Sequence, residues 1–564
     1  MKEVRVLLIW AILAALLAAC GTQPETVTVV ETVEVEKEVR VVETVEVEKE
    51  VVVTATPEAG TAAVPADVEQ TLVLASGRDL GPGNPHDYGS SFVLLDLLYE
   101  PLVRYGPDGA IEPALAEAWE ISEDGLMWTF NLRQDVTFHD GTPFNAEAVK
   151  WNMDRWVGVE RHNWLPTTTR IAGVETPDEF TVVLTLNQPY YPAMQDLTLV
   201  RPVRFLSTEA VDEAGEFAEA IGTGPWQIES LDDKQAVLVR NENYWGEKPA
   251  LEKLVIEVIL DAQTRMAALL SGEVDVIGGE YLGGISLESL PVLERNEAVQ
   301  ILSGDGVTSF YISSQYETPP FDDARVRRAL NMAIDRAGIS EALFGGRADP
   351  AQGLMPPNIP YVTFTGAEMY EYDPEQAAEL LAEAGWTLND EGLREKDGTP
   401  LQMNIVVDQS RLPQTATIAE VLQAQFKDIG IGLEIRAMDY TGWLDAFYAK
   451  DYNLIMRFSW GPPYDPHTLL AGAFYTDTSE ESTISYADAT LDPLVDAALA
   501  STDESERQGI YNQIWQYLDD EAAVIPLVYP QRVYAVRSDV EGFRLGGTEY
   551  DAAYSVQEVV VTGD

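Results

Sequence analysis

Two arginines lie in surroundings that suit the recognition of an organic anion. Arg161 stands three residues before Trp164, so its guanidinium can form a bidentate pair with a carboxylate beside an apolar indole ring. Arg201 lies in the apolar run L-V-R-P-V-R-F, where a guanidinium must find an anion or bear the cost of desolvation. The segment S-W-G-P-P-Y-D-P-H places Trp460 and Tyr464 in a rigid loop. Taken singly, each segment is more typical of a packed turn than of a binding site.

Motifs of common catalytic sites are absent from the sequence. It contains no G-x-x-x-x-G-K-[ST] loop, no G-x-S-x-G elbow and no H-E-x-x-H helix. The four histidines, at 86, 139, 162 and 467, include no i, i+4 pair, and 94 acidic residues make chance carboxylate pairs unavoidable. We therefore expect a binding protein and not an enzyme, with no cofactor of its own.

The charge of the chain excludes one class of partner. At 564 residues with 46% apolar content, the chain is long enough for two or more domains with sizeable cores. Its formal net charge is -58, and a nucleic-acid partner would require a basic surface instead. The acidic surface says little about a ligand, because a few charges in a cleft can oppose it.

The single cysteine, Cys20, ends an N-terminal targeting segment. Lys2 and Arg5 precede an apolar run over 6–19, which is short for a membrane span and typical of a signal peptide. The sequence L-A-A-C resembles a bacterial lipobox, in which the cysteine is lipidated after cleavage. We expect residues 1–19 to be removed and Cys20 to anchor the chain to the outer face of the membrane. A plain secretory signal is the alternative. With Cys20 used in this way, no thiol remains for a disulfide, a metal site or a nucleophile.

A Val/Glu-rich segment follows. The sequence E-T-V-E-V-E-K-E-V occurs at 31–39 and again at 43–51, and ten glutamates oppose three basic residues between 25 and 58. Self-repulsion favours an extended tether over 20–66 that holds the folded body away from the membrane. Self-association of its valines, as β-strands or as a coiled structure, is the alternative.

The folded body begins near 67 and reads as mixed α/β. Asn145, Asp261 and Asp373 each stand where they can cap a helix. From 401 onward, strands and helices alternate regularly, which favours an α/β lobe. The main predicted helices cover 92–99, 146–157, 262–270, 324–337, 413–429, 442–449, 491–501 and 504–521, and the main strands cover 71–75, 127–132, 254–260, 401–407, 431–438 and 454–458.

Residues 221–249 carry the strongest family signal. G-T-G-P-W opens a predicted β-hairpin that turns at D-D-K and runs into V-R-N-E-N-Y-W-G. This order resembles the large extracytoplasmic solute-binding proteins of peptide and nickel ABC importers, known as family 5. Y-E-P-L, S-E-D-G, W-T-F, F-H-D-G and F-N-A, between 99 and 146, extend the resemblance.

The resemblance implies a type II periplasmic-binding-protein fold with two lobes. Lobe I would comprise 67–303 and the returning segment 530–564, and lobe II would comprise 304–529. Two hinge crossings would lie near 303–311 and 526–532. Lobes joined in this way can close around a solute and exclude water from it.

Three further segments resemble the nickel-importer branch of the family. They are R-H-x-W at 161–164, the Y-Y-P and R-P-x-R-F sequences within 190–205, and W-G-x-P-Y-D-P-H at 460–467. The resemblance implies that Arg161 and Arg201 hold carboxylates of a metal-carrying small molecule and that Trp164, Trp460 and Tyr464 wall the pocket. That branch has a histidine near the position of Thr478, and this chain has none over 469–486. We therefore expect no metal ligand from the protein, and we expect His467 to brace its own loop.

Together these observations predict a monomeric, lipid-anchored receptor on the periplasmic side of the membrane. It would deliver a carboxylate-bearing solute, foremost a nickel chelate, to an ABC permease. One alternative is an oligopeptide or dipeptide receptor of the same family. Another is a structural surface lipoprotein in which the tether matters and the cleft is vestigial.

Overall fold

A computed structural model describes most of the chain after the targeting segment. It covers the backbone of 27–35 and 43–51, and backbone and side chains at 65, 68–106, 110–286 (except the side chains of 280 and 281), 288–364, 371–409, 414–459, 465–476, 484–546 and 554–563. Two compact units result, Met1–Ala63 and Val64–Asp564. Cys20 and the targeting segment lie outside the described residues.

In the N-terminal unit, the two Val/Glu repeats pair with each other. Val27–Val35 and Glu43–Val51 form an antiparallel pair in which Val27 faces Val51 and Val35 faces Glu43. This is the β association that the sequence left open beside an extended tether. The role as a tether stays a prediction.

The body contains a seven-stranded mixed sheet, which we call the large sheet. The predicted hairpin forms one edge, with Trp226 opposite Arg240, and the next strand pairs in parallel with the first strand of the body. The strands, in sheet order, are Trp226–Leu231, Gln235–Arg240, Lys253–Val258, Thr71–Ser76, Val276–Gly278, Arg532–Arg537 and Val299–Gly304.

The loop after the hairpin is fixed by the partly buried carboxylate of Glu100. Glu100 accepts hydrogen bonds from the Tyr244 hydroxyl and from the Trp245 and Thr223 side chains, all at 2.8–2.9 Å. The Arg133 guanidinium lies 4.4 Å from the centre of the Trp245 ring. The two aromatics of the family signal are therefore structural, because they close the loop onto the segment after the first helix.

A four-stranded antiparallel sheet adds to the same lobe. Its strands, in order, are Ala116–Ile121, Met127–Leu132, Thr181–Leu186 and Ile171–Asp178. Alternate residues of Met127–Leu132 and Thr181–Leu186 are buried, as expected for strands with one covered face. We call the large sheet, this sheet and their helices the first lobe.

The second lobe is built on a six-stranded sheet. Parallel pairing of Gln402–Asp408 with Gly432–Met438 and with Leu454–Phe458 confirms the predicted alternation of strands and helices. The core around this sheet includes Ile405, Leu422 and Leu454, none of which is exposed. The strands, in order, are Ala348–Pro350, Ile525–Pro530, Phe310–Ser314, Leu454–Phe458, Gln402–Asp408 and Gly432–Met438.

The chain passes between the large sheet and the six-stranded sheet twice. Val299–Gly304 belongs to the large sheet and Phe310–Ser314 to the six-stranded one. Ile525–Pro530 and Arg532–Arg537, separated by one residue, return the chain to the large sheet. Both transitions fall inside the segments that the sequence proposed as hinges.

Local capping signals explain most helix boundaries. Asn145, Asp261 and Asp373 accept hydrogen bonds from Ala148, Thr264 and Gln376 backbone N–H groups respectively. The helices are Phe92–Leu98, Ala146–Met153, Pro166–Arg170, Ala193–Asp196, Ala262–Ser271, Gly279–Leu282, Leu290–Leu293, Ala324–Met332, Arg336–Phe344, Pro374–Glu383, Gln414–Asp428, Tyr440–Tyr448, His467–Ala473, Asp492–Ala500 and Glu504–Asp520.

One helix prediction was wrong. The helix expected over 324–337 ends at Met332, and a second helix begins at Arg336. Asp335 caps this second helix by accepting the Gly338 N–H, which the sequence analysis missed. Among the described residues, none of the helices is long and apolar enough to cross a bilayer.

Candidate functional site

Tyr88 lies at the centre of the candidate site. Its hydroxyl is 2.5 Å from Trp164 Nε1 and 2.7 Å from His162 Nδ1. The Arg201 guanidinium lies 5.2 Å from the centre of the Tyr88 ring. Three of the five predicted site residues, Arg161, Trp164 and Arg201, are therefore gathered around one side chain. Tyr88 comes from the loop before the first helix of the body.

The hydrogen-bond directions around Tyr88 form one consistent set. Arg161 Nε donates to His162 Nε2 across 3.1 Å, so this imidazole nitrogen must be an acceptor. The proton of neutral His162 is then on Nδ1, and it points to the Tyr88 oxygen. Tyr88 accepts from His162 and Trp164 and donates its own proton to the Arg161 carbonyl, 3.3 Å away.

This arrangement requires a neutral His162. Burial, together with the positive charge of Arg161, lowers the pKa of His162 to about 4. In a protonated imidazole, Nε2 would carry a hydrogen that faces the Arg161 Nε–H group, so this hydrogen bond could not form. At neutral pH, the imidazole therefore serves as a fixed acceptor that orients the guanidinium.

Arg161 uses only part of its hydrogen-bonding capacity among the described residues. Its Nη2 donates to the His86 carbonyl at 2.8 Å, and its Nε is held by His162. Among the described residues, Nη1 has no hydrogen-bond partner, and the residue is exposed. Trp164 is also exposed, at 45%. A held guanidinium beside an exposed indole can bind a carboxylate with little loss of side-chain entropy.

Arg201 makes more contacts with the surrounding protein than Arg161 does at its exposed end. Its Nη1 donates to the carbonyls of Tyr88 and Ser90, at 3.0 and 2.8 Å. Its guanidinium also lies 4.4 Å from the centre of the Phe92 ring. The side chain is partly exposed, so it supplies positive charge while fixing the Tyr88 loop against the first helix.

A buried histidine supports Arg161 from behind. His86 is 1% exposed; its Nε2 donates to the Arg204 carbonyl at 3.0 Å, and its Nδ1 accepts from Arg155 Nε at 3.3 Å. Burial lowers the pKa of His86 to about 3, so the ring is neutral. His86 thereby holds the carbonyl that Arg161 binds.

A polar cavity of about 340 Å³ opens beside these residues. It is lined by Asn84, His86, Asp87, Arg155, Arg161, Gly215, Glu216 and Phe217. Its size suits a small organic molecule, since ligand cavities start at about 300 Å³. Arg161 lies on its wall and connects it to the group of Tyr88, Arg161, His162, Trp164 and Arg201, which we call the Tyr88 cluster.

Two predicted site residues, Trp460 and Tyr464, lie outside the described residues, as does Thr478. Within the part of the chain that the structure describes, no group of three or more His, Cys, Asp or Glu side chains could hold a metal ion. The described site is cationic and aromatic, which suits an organic anion.

Sequence reasoning missed Tyr88, His86 and His162 as members of the site. The N-P-H-D-Y segment, at 84–88, is not among the segments that the sequence analysis selected for binding. Asn84 offers a local signal, since its side chain accepts the His86 N–H at 2.9 Å and fixes this loop. The contact with His162, 74 residues later, has no local signal.

Two lobes joined by two crossings, with a cationic and aromatic cluster on one of them, are typical of a two-lobed solute-binding protein. The sequence model of the bacterial extracellular solute-binding proteins, family 5, matches residues 110–481. The chain belongs to this family, which confirms the resemblance drawn from the sequence. The family consists of solute-binding proteins, as expected for a chain without catalytic motifs.

Proteins named for different ligands resemble this chain along most of its length. The nickel-binding periplasmic protein of Escherichia coli is 33% identical over 480 residues, covering 83% of this chain and 90% of the relative. The glutathione-binding protein GsiB of Salmonella typhi is 29% identical over 514 residues, covering 86% and 93%. The crystal structure of NikA from Brucella suis in complex with Fe(III)-EDTA matches with a TM-score of 0.80 and 31% identity, covering 87% of this chain and 99% of that one.

Proposed function

We propose that this protein captures a small carboxylate-bearing solute between its lobes, foremost a chelated metal such as nickel, and delivers it to an ABC permease. The observation that carries the proposal is the convergence of Arg161, Trp164 and Arg201 on Tyr88. Two guanidinium groups provide the charge for carboxylates, and the exposed indole provides an apolar contact for the organic part of the ligand.

The chelate, and not the bare ion, is the proposed ligand. The cluster offers cationic donors, and a bare Ni²⁺ ion would be repelled by Arg161 and Arg201. A chelating molecule with carboxylates surrounds the ion and presents negative groups to those arginines. The NikA complex with Fe(III)-EDTA and the nickel-binding relative support this choice.

The remaining parts of the proposal concern architecture and location. We propose lobe I at 67–303 and 530–564, lobe II at 304–529, and Trp460 and Tyr464 as the contribution of lobe II to the pocket wall. Cys20 would carry the lipid anchor, and 20–66 the tether. Replacing Cys20 by serine should move the protein from the membrane fraction to the soluble fraction, and an unchanged distribution would contradict the anchor.

Calorimetry with matched ligands tests the function. We expect heat with Fe(III)-EDTA or with Ni²⁺ plus histidine, and none with Ni²⁺ alone, because the arginines recognise the organic anion. Native mass spectrometry of the purified protein would identify a ligand that is carried through purification. Binding of Ni²⁺ alone as tightly as its chelates would contradict the proposal.

Glutathione is the second candidate solute. The GsiB relative favours it, and a tripeptide with two free carboxylates also fits two arginines. Titration with glutathione and with a mixture of dipeptides and longer peptides separates this candidate from the chelate. If no solute produces heat or raises the melting temperature, a structural role of the lipoprotein is favoured.

A further inference from the structure

A fully buried group of charges lies where the two lobes meet, away from the Tyr88 cluster. Asp196, from the first lobe, faces His467, from the segment 304–529 that we assign to the second lobe, with 3.1 Å between Oδ1 and Nε2. His467 Nδ1 lies 3.0 Å from Asp465 Oδ1, off the direction of a linear hydrogen bond. Arg507 Nη2 binds Asp465 Oδ2 at 3.0 Å. All four side chains have no exposed surface.

The histidine is the only member of this group that touches a carboxylate from each lobe. Asp196 Oδ2 is occupied within the first lobe by the Thr167 hydroxyl at 2.6 Å and the Tyr190 hydroxyl at 3.2 Å. Asp465 is occupied within the second lobe by Arg507 and by the Tyr511 hydroxyl at 2.9 Å. The Asp196–His467 contact therefore joins two otherwise separate hydrogen-bonded groups.

The charge balance of the group depends on the proton state of His467. With a neutral His467, the carboxylates of Asp196 and Asp465 and the guanidinium of Arg507 leave one uncompensated negative charge among side chains without exposed surface. Such a charge is costly, whereas a protonated imidazole makes the group neutral. The geometry thus selects the imidazolium when Asp196 and Asp465 are both in contact with it.

The surroundings of His467 agree with this assignment. Burial alone opposes the charge, but the Asp465 and Asp196 carboxylates raise the pKa of His467 to about 9. Burial also opposes the Asp465 charge, yet Arg507 and His467 hold the pKa of Asp465 well below its usual range. The groups that face or adjoin His467 are Asp196, Asp465, Arg507, Tyr190, Tyr511 and, across the Tyr190 ring at 4.4 Å, Arg170.

We propose that His467 and Asp196 form a proton-dependent joint between the lobes, so that closing the lobes takes up a proton. When the lobes swing apart at the crossings, His467 keeps Asp465 but loses Asp196. The imidazole then has one carboxylate partner in place of two, and the open form holds its proton less tightly. A solute that favours the closed form therefore binds with proton uptake in the alkaline range. The joint does not depend on which solute is bound.

The proton state can be read directly, because the chain has only four histidines. The full chain is labelled with ¹³Cε1-histidine, and the four signals are followed from pH 5 to 10. We expect three signals to be neutral at pH 7.5 and one, absent in His467→Gln, to stay protonated up to about pH 9. In Asp196→Asn, the midpoint of that signal should fall. A neutral His467 at pH 7.5 would overturn the proposal.

The coupling to closure is tested by small-angle X-ray scattering of the full chain without solute. An opposite charge within about 4–6 Å shifts a pKa by about one unit or more, so the ratio of closed to open forms should fall at least about tenfold between pH 7 and 10. Asp196→Asn should remove this dependence while keeping the size of the side chain.

Glu504→Gln provides the matched control. Glu504 also bridges the lobes, since it accepts from Tyr191 of the first lobe and Tyr361 of the second, but it lies on the exposed rim without a histidine. This variant should keep the pH dependence of the wild type. If Asp196→Asn retains the wild-type dependence, or if Glu504→Gln loses it, the assignment of the joint to His467 and Asp196 is wrong.

Discussion

Replacing Tyr88 by phenylalanine removes one oxygen atom and three hydrogen bonds. The lost contacts are those with Trp164 Nε1, His162 Nδ1 and the Arg161 carbonyl. The phenyl ring keeps the position from which it contacts Arg201. The substitution therefore tests the orientation of the site while leaving its charges in place.

The loss of stability depends on whether water can replace the Tyr88 hydroxyl as the hydrogen-bond partner of each group. Trp164 is 45% exposed, so water replaces much of its lost bond, whereas His162 is fully buried and its N–H is left without an acceptor. Trp164 exchanges its hydrogen bond for one with water, and the buried His162 N–H is left without an acceptor. Together these changes should lower the free energy of unfolding by about 1–2 kcal/mol. His162 also orients Arg161, so we expect the affinity for Fe(III)-EDTA to fall about tenfold, or about 1.4 kcal/mol.

Urea denaturation and calorimetry measure the two effects separately. Tyr448→Phe is the matched control, since Tyr448 is 55% exposed on the second lobe and should change neither quantity. Unchanged stability and affinity in Tyr88→Phe would refute the hydrogen-bond set around Tyr88. A loss of stability with unchanged affinity would show that Tyr88 braces the loop and that the solute binds elsewhere.

Substitutions at three other residues, Arg161, His86 and Asn145, test separate parts of the structure. Arg161→Lys keeps the charge but loses the planar guanidinium, so calorimetry should show about tenfold weaker binding of Fe(III)-EDTA. Arg161→Ala should lose more affinity, because it also removes the charge. Equal affinity of the lysine variant and the wild type would contradict bidentate recognition. His86 and His139 are held neutral by burial with pKa values of about 3 and about 4, so the free energy of unfolding should fall as the pH drops from about 6.5 through these values. Urea titrations at several pH values check this, and His86→Gln should reduce the slope. Asn145→Ala should lower the free energy of unfolding by about 1 kcal/mol, because the helix loses its N-cap. Asn145→Asp, which can still cap the helix, is the conservative control. Unchanged stability of Asn145→Ala would show that the cap contributes nothing.

The sequence determined the elements that depend on neighbouring residues. The hairpin turns at Asp232, whose side chain accepts the Lys234 N–H, as the D-D-K signal indicates. The helix that begins after Asp261 ends at Gly272, which has the positive φ of 76° that glycine adopts without strain. The sequence also identified the family, because motifs such as G-T-G-P-W occur along the chain in the order typical of that family.

The tertiary structure decided which distant side chains meet. Arg161 and Trp164 were selected from their spacing, but Tyr88, which orients both, lies more than 70 residues earlier. The same holds for His467. Its backbone N–H bonds Asp465 Oδ1, as expected for a histidine that braces its own loop. Its contact with Asp196, 271 residues away, exists only because the lobes meet. Short-range order follows from backbone hydrogen bonds within a few residues, whereas burial and charge pairing depend on the packing of the whole chain.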